Sequence, residues 1–111
     1  MATISNLYVD QGSDYTTIIT VTSAGNVPLN LTGYTVKSQM RKSYSSSIFH
    51  NFTSTIYDAP SGRIKIALTA AQSELIVAGR WLYDVEITNG VGVKKRVVEG
   101  VVTVTPQITQ I

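Results

Sequence analysis

Hydrophobic and polar positions alternate along most of this chain, in short blocks separated by turn residues. Between Tyr34 and Arg41, Tyr34, Val36, Ser38 and Met40 fall on one side and Thr35, Lys37, Gln39 and Arg41 on the other. A period of two is the signature of a strand with one buried face. Arg63 to Leu68 repeats it with Ile64, Ile66 and Leu68 inward, and Arg80 to Thr88 with Trp81, Tyr83, Val85 and Ile87 inward. Ile4 to Val9, Tyr15 to Thr22, Ile48 to Tyr57 and Val93 to Thr105 also read as strands. Turns are predicted at Asp10–Asp14, at Ser23–Asn26, at Asp58–Gly62 and in the hairpin signal Asn89-Gly90-Val91-Gly92. Pro28 is expected to stop pairing after the second of these turns. Lys42 to Ser47 forms a Ser-rich loop around Tyr44. Gly100 is expected to mark a bulge in the last strand, and Pro106 to end it, leaving Gln107 to Ile111 as a tail.

One helix is predicted, from Ala70 to Val77. Thr69 as N-cap and Gln72 three residues later match a capping box, and Gly79 can terminate the helix in the left-handed conformation. It is too short to form a layer, so it is expected to carry the chain from one sheet to the other. About seven consecutive strands with one connecting helix select an all-β fold, a single antiparallel immunoglobulin-like β-sandwich spanning residues 1–111. A small closed barrel is the alternative.

Composition narrows the function. Of the 111 residues 14% are charged, against roughly 25% in an average soluble domain. Thr, Ser, Asn and Gln fill the deficit, which suits neutral strand faces and surfaces that lie against other proteins. The net charge of +2 is too small to imply nucleic acid or an anionic membrane as partner. There is no cysteine, hence no disulfide, thiol nucleophile or thiolate metal site. Met1 to Asn6 does not read as a signal peptide, and no window reaches the roughly 18 apolar residues of a membrane span. A soluble protein made in a cytoplasm is expected.

Candidate chemistry is sparse. His50 is the one histidine, and no motif gives it a nucleophile. Asp84 and Glu86 share an outward strand face opposite Lys94, Lys95 and Arg96, so cross-strand charge pairing is expected, not a carboxylate pair at work. Asp10 and Asp14 bracket Gly12 and read as turn caps, without the ligand count of a calcium loop. Lys94-Lys95-Arg96 beside Arg41-Lys42 would form a basic patch, but no aromatic residues are interleaved for base stacking. Trp81, Tyr83, Tyr34, Phe52 and Phe49 read as core. The chain is expected to be non-enzymatic, with no catalytic residue, no cofactor and no metal.

Several segments in order resemble a family of small phage structural proteins. They are Gly12-Ser13-Asp14-Tyr15, Asn30-Leu31-Thr32-Gly33-Tyr34-Thr35-Val36, Gln39-Met40-Arg41-Lys42-Ser43-Tyr44, Asp58-Ala59 with Ser61-Gly62-Arg63-Ile64, Leu68-Thr69-Ala70-Ala71-Gln72, Ala78-Gly79-Arg80-Trp81-Leu82-Tyr83-Asp84-Val85 and Arg96 to Pro106. The order is similar to virion proteins of tailed phages, notably those infecting cyanobacteria and other marine bacteria. More loosely it resembles the immunoglobulin-like N-terminal module of phage baseplate upper proteins. The resemblance implies a structural component of a virion, a capsid decoration protein or a tail, neck or baseplate part, assembled in the bacterial host cytoplasm. Its partners would be other virion proteins in a symmetric, multi-copy assembly. The terminal segments are the candidate docking elements, through Ile4, Leu7, Tyr8, Val9, Gln107, Ile108 and Ile111. The alternative is a carbohydrate- or host-surface-binding domain using loop aromatics such as Tyr44 and Tyr57.

Overall fold

A computed structural model describes residues 3–23, 25 and 27–108. The elements in order are β1 (Thr3–Ile4), β2 (Leu7–Asp10), β3 (Tyr15–Thr20), β4 (Thr22–Ser23), β5 (Val27–Pro28), β6 (Thr35–Arg41), β7 (Phe49–Asn51), β8 (Thr53–Asp58), β9 (Arg63–Leu68), α1 (Ala70–Glu74), β10 (Gly79–Thr88) and β11 (Lys94–Thr105). The protein is all-β, as the alternation predicts.

The larger sheet runs β1-β11-β10-β6-β7, with β2 also paired to β11, and the smaller sheet runs β3-β9-β8. Most pairs are antiparallel, but β1 and β2 run parallel to β11. The inward residues of both sheets meet in one core. Trp81, Tyr83, Val85 and Ile87 of β10 are buried there against Ile64, Ile66 and Leu68 of β9 and Val98, Val102 and Val104 of β11. Each such side chain removed from water contributes about 1.5–3 kcal/mol before the entropic cost of ordering it.

Three local features differ from the sequence expectation. The segment expected as one strand from Ile48 to Tyr57 breaks at Phe52. That residue is buried and its N–H donates to Ser38 O across 3.1 Å, so β7 stays in the larger sheet while β8 joins the smaller. Pro28 does not stop pairing: it lies opposite Thr22 in a two-stranded β4–β5 ribbon, where an edge tolerates a missing donor. The bulge falls at Val97, not at Gly100. Val85 pairs with Val98 and Glu86 with Arg96, so Val97 is the extra residue, while Gly100 stays in register with Tyr83.

The capping box is present. Gln72 N–H donates to Thr69 Oγ1 at 3.2 Å, and Thr69 N–H to Gln72 Oε1 at 2.8 Å. The helix ends at Glu74, three residues before the expected Val77, and Gly79, at φ 133°, opens β10 instead of capping α1. α1 does lead from the smaller sheet to the larger. Its buried Ser73 fastens it to the 11–13 turn, accepting from Gly12 N–H at 3.0 Å and donating to Ser13 O at 2.8 Å. Gln11 adds a bond to Ile76 O at 2.9 Å.

Candidate functional site

The bulge at Val97 decides what stands on the outer face of the larger sheet. In unbroken register Arg96 would point inward beside Val98, because a one-residue slip exchanges the two faces. With the extra residue, Arg96 lies outward opposite Glu86. Its Nε then meets Asp84 Oδ2 at 3.1 Å and its Nη1 meets Glu99 Oε2 at 3.1 Å. Asp84 and Glu99 face each other across the β10–β11 ladder, so the guanidinium relieves a like-charge contact. Burial raises the Asp84 carboxyl above the usual carboxylate range, an effect that the Arg96 charge partly offsets.

These groups lie in a groove of about 430 Å³. Leu82 and Val101 add an apolar part, Ile4 and Asn6 form one wall, and Arg41, Ser43 and Tyr44 the other. Arg41 props the second wall, donating to Ser46 O at 2.8 Å and to Gln39 Oε1 at 3.1 Å while covering the Phe49 ring at 4.7 Å. Lys42 sits over the Trp81 ring at 4.7 Å. Tyr44 is 82% exposed. Tyr57, the other loop aromatic of the sugar-binding reading, is exposed on β8 of the smaller sheet.

The first wall depends on Gly100. A Cβ there would fall 2.2 Å from Ser5 O, so β11 must be bare at this point for residues 5 and 6 to pass. The segment is tied by Tyr83 Oη donating to Ser5 O at 2.6 Å, Val101 N–H to Asn6 Oδ1 at 3.1 Å and Ser5 N–H to Glu99 O at 2.9 Å. Gly100→Ala is expected to cost about 1–3 kcal/mol by overpacking and to release β1. Amide exchange at Ser5 and Val101 should accelerate while exchange in β9 falls only with global stability; equal protection at Ser5 in both proteins would contradict this.

Burial pushes the Tyr83 phenol up to about 12. The folded value lies above the ordinary tyrosine pKa of about 10, so neutral Tyr83 supports the fold in full below about pH 10. That support is lost as the pH rises towards about 12, and with it the proton donated to Ser5. Tyr83→Phe should therefore flatten the decline of stability between these pH values, read by urea melts; an unchanged slope would contradict the assignment.

Among the described residues, the terminal positions expected to dock separate into three groups. Leu7 and Val9 are core residues that hold β2 down, so they are not surface contacts. Ile4, Tyr8 and Ile108 are 74%, 71% and 98% exposed. Gln107 is half-buried, its N–H donating to Gln11 Oε1 at 3.2 Å. Ile111 lies outside the described residues.

Elsewhere, the half-buried His50 meets the edge of Trp81 at a centroid distance of 5.2 Å, and burial pushes its imidazole down. Asp10 accepts from Thr105 Oγ1 and Asp14 from Ala70 N–H, each at 2.7 Å, so both carboxylates tie the 10–14 turn to distant parts of the chain instead of capping the turn itself. Among the described residues no group of three or more His, Asp or Glu is arranged to hold a metal, and no helix is long and apolar enough to cross a membrane. The expected basic patch does not form: Lys94 and Lys95 stand opposite Thr88 and Ile87, at the far end of β10 from Leu82, which pairs with Arg41. Trp81, Tyr83 and Phe52 are core, Tyr34 is half-buried against it, and Phe49 is exposed on one side.

These features define an all-β protein with a grooved sheet and a partly exposed N-terminal edge. No protein-family model and no curated protein matches the chain. Among solved structures it is similar to an internalin-like protein of Listeria monocytogenes, with a TM-score of 0.50 and 14% identity. The likeness covers 94% of this chain and 28% of that one, so the chain spans little more than a quarter of its structural neighbour. At that identity the likeness shows the fold alone.

Proposed function

We propose that this protein is a non-enzymatic structural module of a phage particle that docks on other virion proteins through its N-terminal edge. The observation that carries this reading is the placement of Ile4 and Tyr8. β1 and β2 pair with β11 and with no other strand among the described residues, and both side chains stand exposed on that edge. An edge strand with apolar side chains can take up a neighbour's strand, and isolated proteins usually blunt such an edge with charge. Here the inward Leu7 and Val9 fix the strand while Ile4 and Tyr8 are offered outward. The motif order resembling small virion proteins supplies the setting, and the scarcity of charge agrees with a surface that is covered in use.

The test is incorporation. Particles assembled with the Ile4→Lys/Tyr8→Lys protein should contain it at less than a tenth of the wild-type level by quantitative mass spectrometry, with the purified variant as stable as wild type. Wild-type incorporation of the double variant, or absence of the wild-type chain from purified particles, would overturn the reading.

A further inference from the structure

The β10–β11 hairpin carries a surface that its own fold does not use. Asn89 closes the turn, its Oδ1 accepting from Val91 N–H at 3.0 Å and Val93 N–H at 2.9 Å. This holds Val91 and Val93 outward, 85% and 60% exposed, directly before the exposed Lys94 and Lys95. The groove has the complementary character. Leu82 and Val101 give it an apolar part, and three carboxylates, Asp84, Glu86 and Glu99, face two guanidiniums. Asp84 and Glu99 share Arg96, Arg41 is held by Ser46 and Gln39, and Glu86, with Arg96 and Lys37 opposite it on the two neighbouring strands, makes no ion pair among the described residues.

We propose that the groove receives the hairpin tip of a second copy of this chain, Val91 and Val93 against Leu82 and Val101, and Lys94 or Lys95 beside Glu86. The tip projects beyond the Thr88 end of β10 and the groove opens around Leu82 and Asp84, in a body whose longest extent is 43 Å. A tip cannot fill the groove of its own chain, so the contact is head-to-tail. Such a contact closes into a ring when the rotation between copies allows it and otherwise extends as a filament. One tip in one groove buries little surface, so each contact is weak alone and gains strength by repetition. This inference does not rest on the virion reading: a chain that self-associates yet is missing from particles overturns that reading alone.

Sedimentation velocity on the purified chain up to about 1 mM tests it, a range suited to interfaces of this size. The wild type should associate reversibly, and less so as salt is raised. Glu86→Lys, which reverses the groove, and Lys94→Glu/Lys95→Glu, which reverses the tip, should each weaken association on the order of tenfold or more. Mixing the two variants should restore association, because each then offers the partner that the other lacks. Circular dichroism establishes that each variant is folded, and the tip variant, altered only at exposed positions, keeps the test valid if Glu86→Lys does not fold. A wild type that stays monomeric throughout, association untouched by either reversal, or a mixture no more associated than its components would overturn the proposal.

Discussion

Trp81→Ala is expected to lower the unfolding free energy by about 3–5 kcal/mol, a large share of the roughly 5–15 kcal/mol available to a domain of this size. Trp81 is fully buried and occupies the point where three parts of the chain converge. Its indole Nε1–H donates to Val77 O at 2.9 Å, fixing the connection from α1 into β10. His50 of β7 meets its ring at 5.2 Å, and Lys42, at the base of the Tyr44 loop, covers it at 4.7 Å. Truncation leaves a cavity, an unpaired carbonyl at Val77 and no platform for Lys42. Because Trp81 is the only tryptophan, the urea melt must be followed by far-ultraviolet circular dichroism. A loss below about 1 kcal/mol, outside the range for buried tryptophans, would mean that the core is centred elsewhere.

Gly62→Ala should destabilise the fold by about 2–5 kcal/mol, adding about 1–2 for a left-handed backbone to about 1–3 for overpacking. Gly62 has φ 70°, and a Cβ there would lie 2.6 Å from Val21 O and 2.7 Å from Leu29 O. Neither is a flexible side-chain end: Val21 N–H donates to Gly62 O at 2.7 Å and Leu29 N–H to Val21 O at 2.9 Å, tying three segments together. Gly92 supplies the control, since its φ is 90° and a Cβ there meets open space. Gly92→Ala should show the backbone cost alone, about 1–2 kcal/mol. Equal losses at the two positions in parallel urea melts would show that crowding by Val21 and Leu29 contributes nothing.

The parts of the fold governed by local physics were legible in the sequence. The alternation in β6, β9 and β10 assigns the inward residues because one strand face is buried and the other is wet. Thr69 and Gln72 give the helix start because a capping box satisfies orphan donors within four residues. What the sequence hides is set by partners distant along the chain. Phe52 sits within a continuous strand pattern, and only its bond to Ser38 shows the change of sheet. Gly100 looks like a bulge, yet it is bare because Ser5 passes over it, 95 positions earlier in the chain. The doublet Val97-Val98 in an alternating strand is compatible with a bulge, because a regular ladder cannot bury both residues on one face, but Val101-Val102 is the same doublet and stays in register, so the pattern does not single out the bulge. Only the register with β10, which makes Val97 the extra residue, puts Arg96 and Glu99 on one face and uncovers the floor of the groove. The terminal segment divides for the same reason of period, since Leu7 and Val9 belong to the core while Tyr8 does not.

Docking of the N-terminal edge on a neighbouring protein of a phage particle, as proposed, has a direct structural consequence. A cryo-electron microscopy map of the purified particle tests it most directly. If the proposed docking occurs, the two-sheet domain is expected in many symmetry-related copies, with Ile4 and Tyr8 against a neighbouring protein chain. A map in which no density fits the domain, or in which that edge faces solvent in every copy, would contradict it.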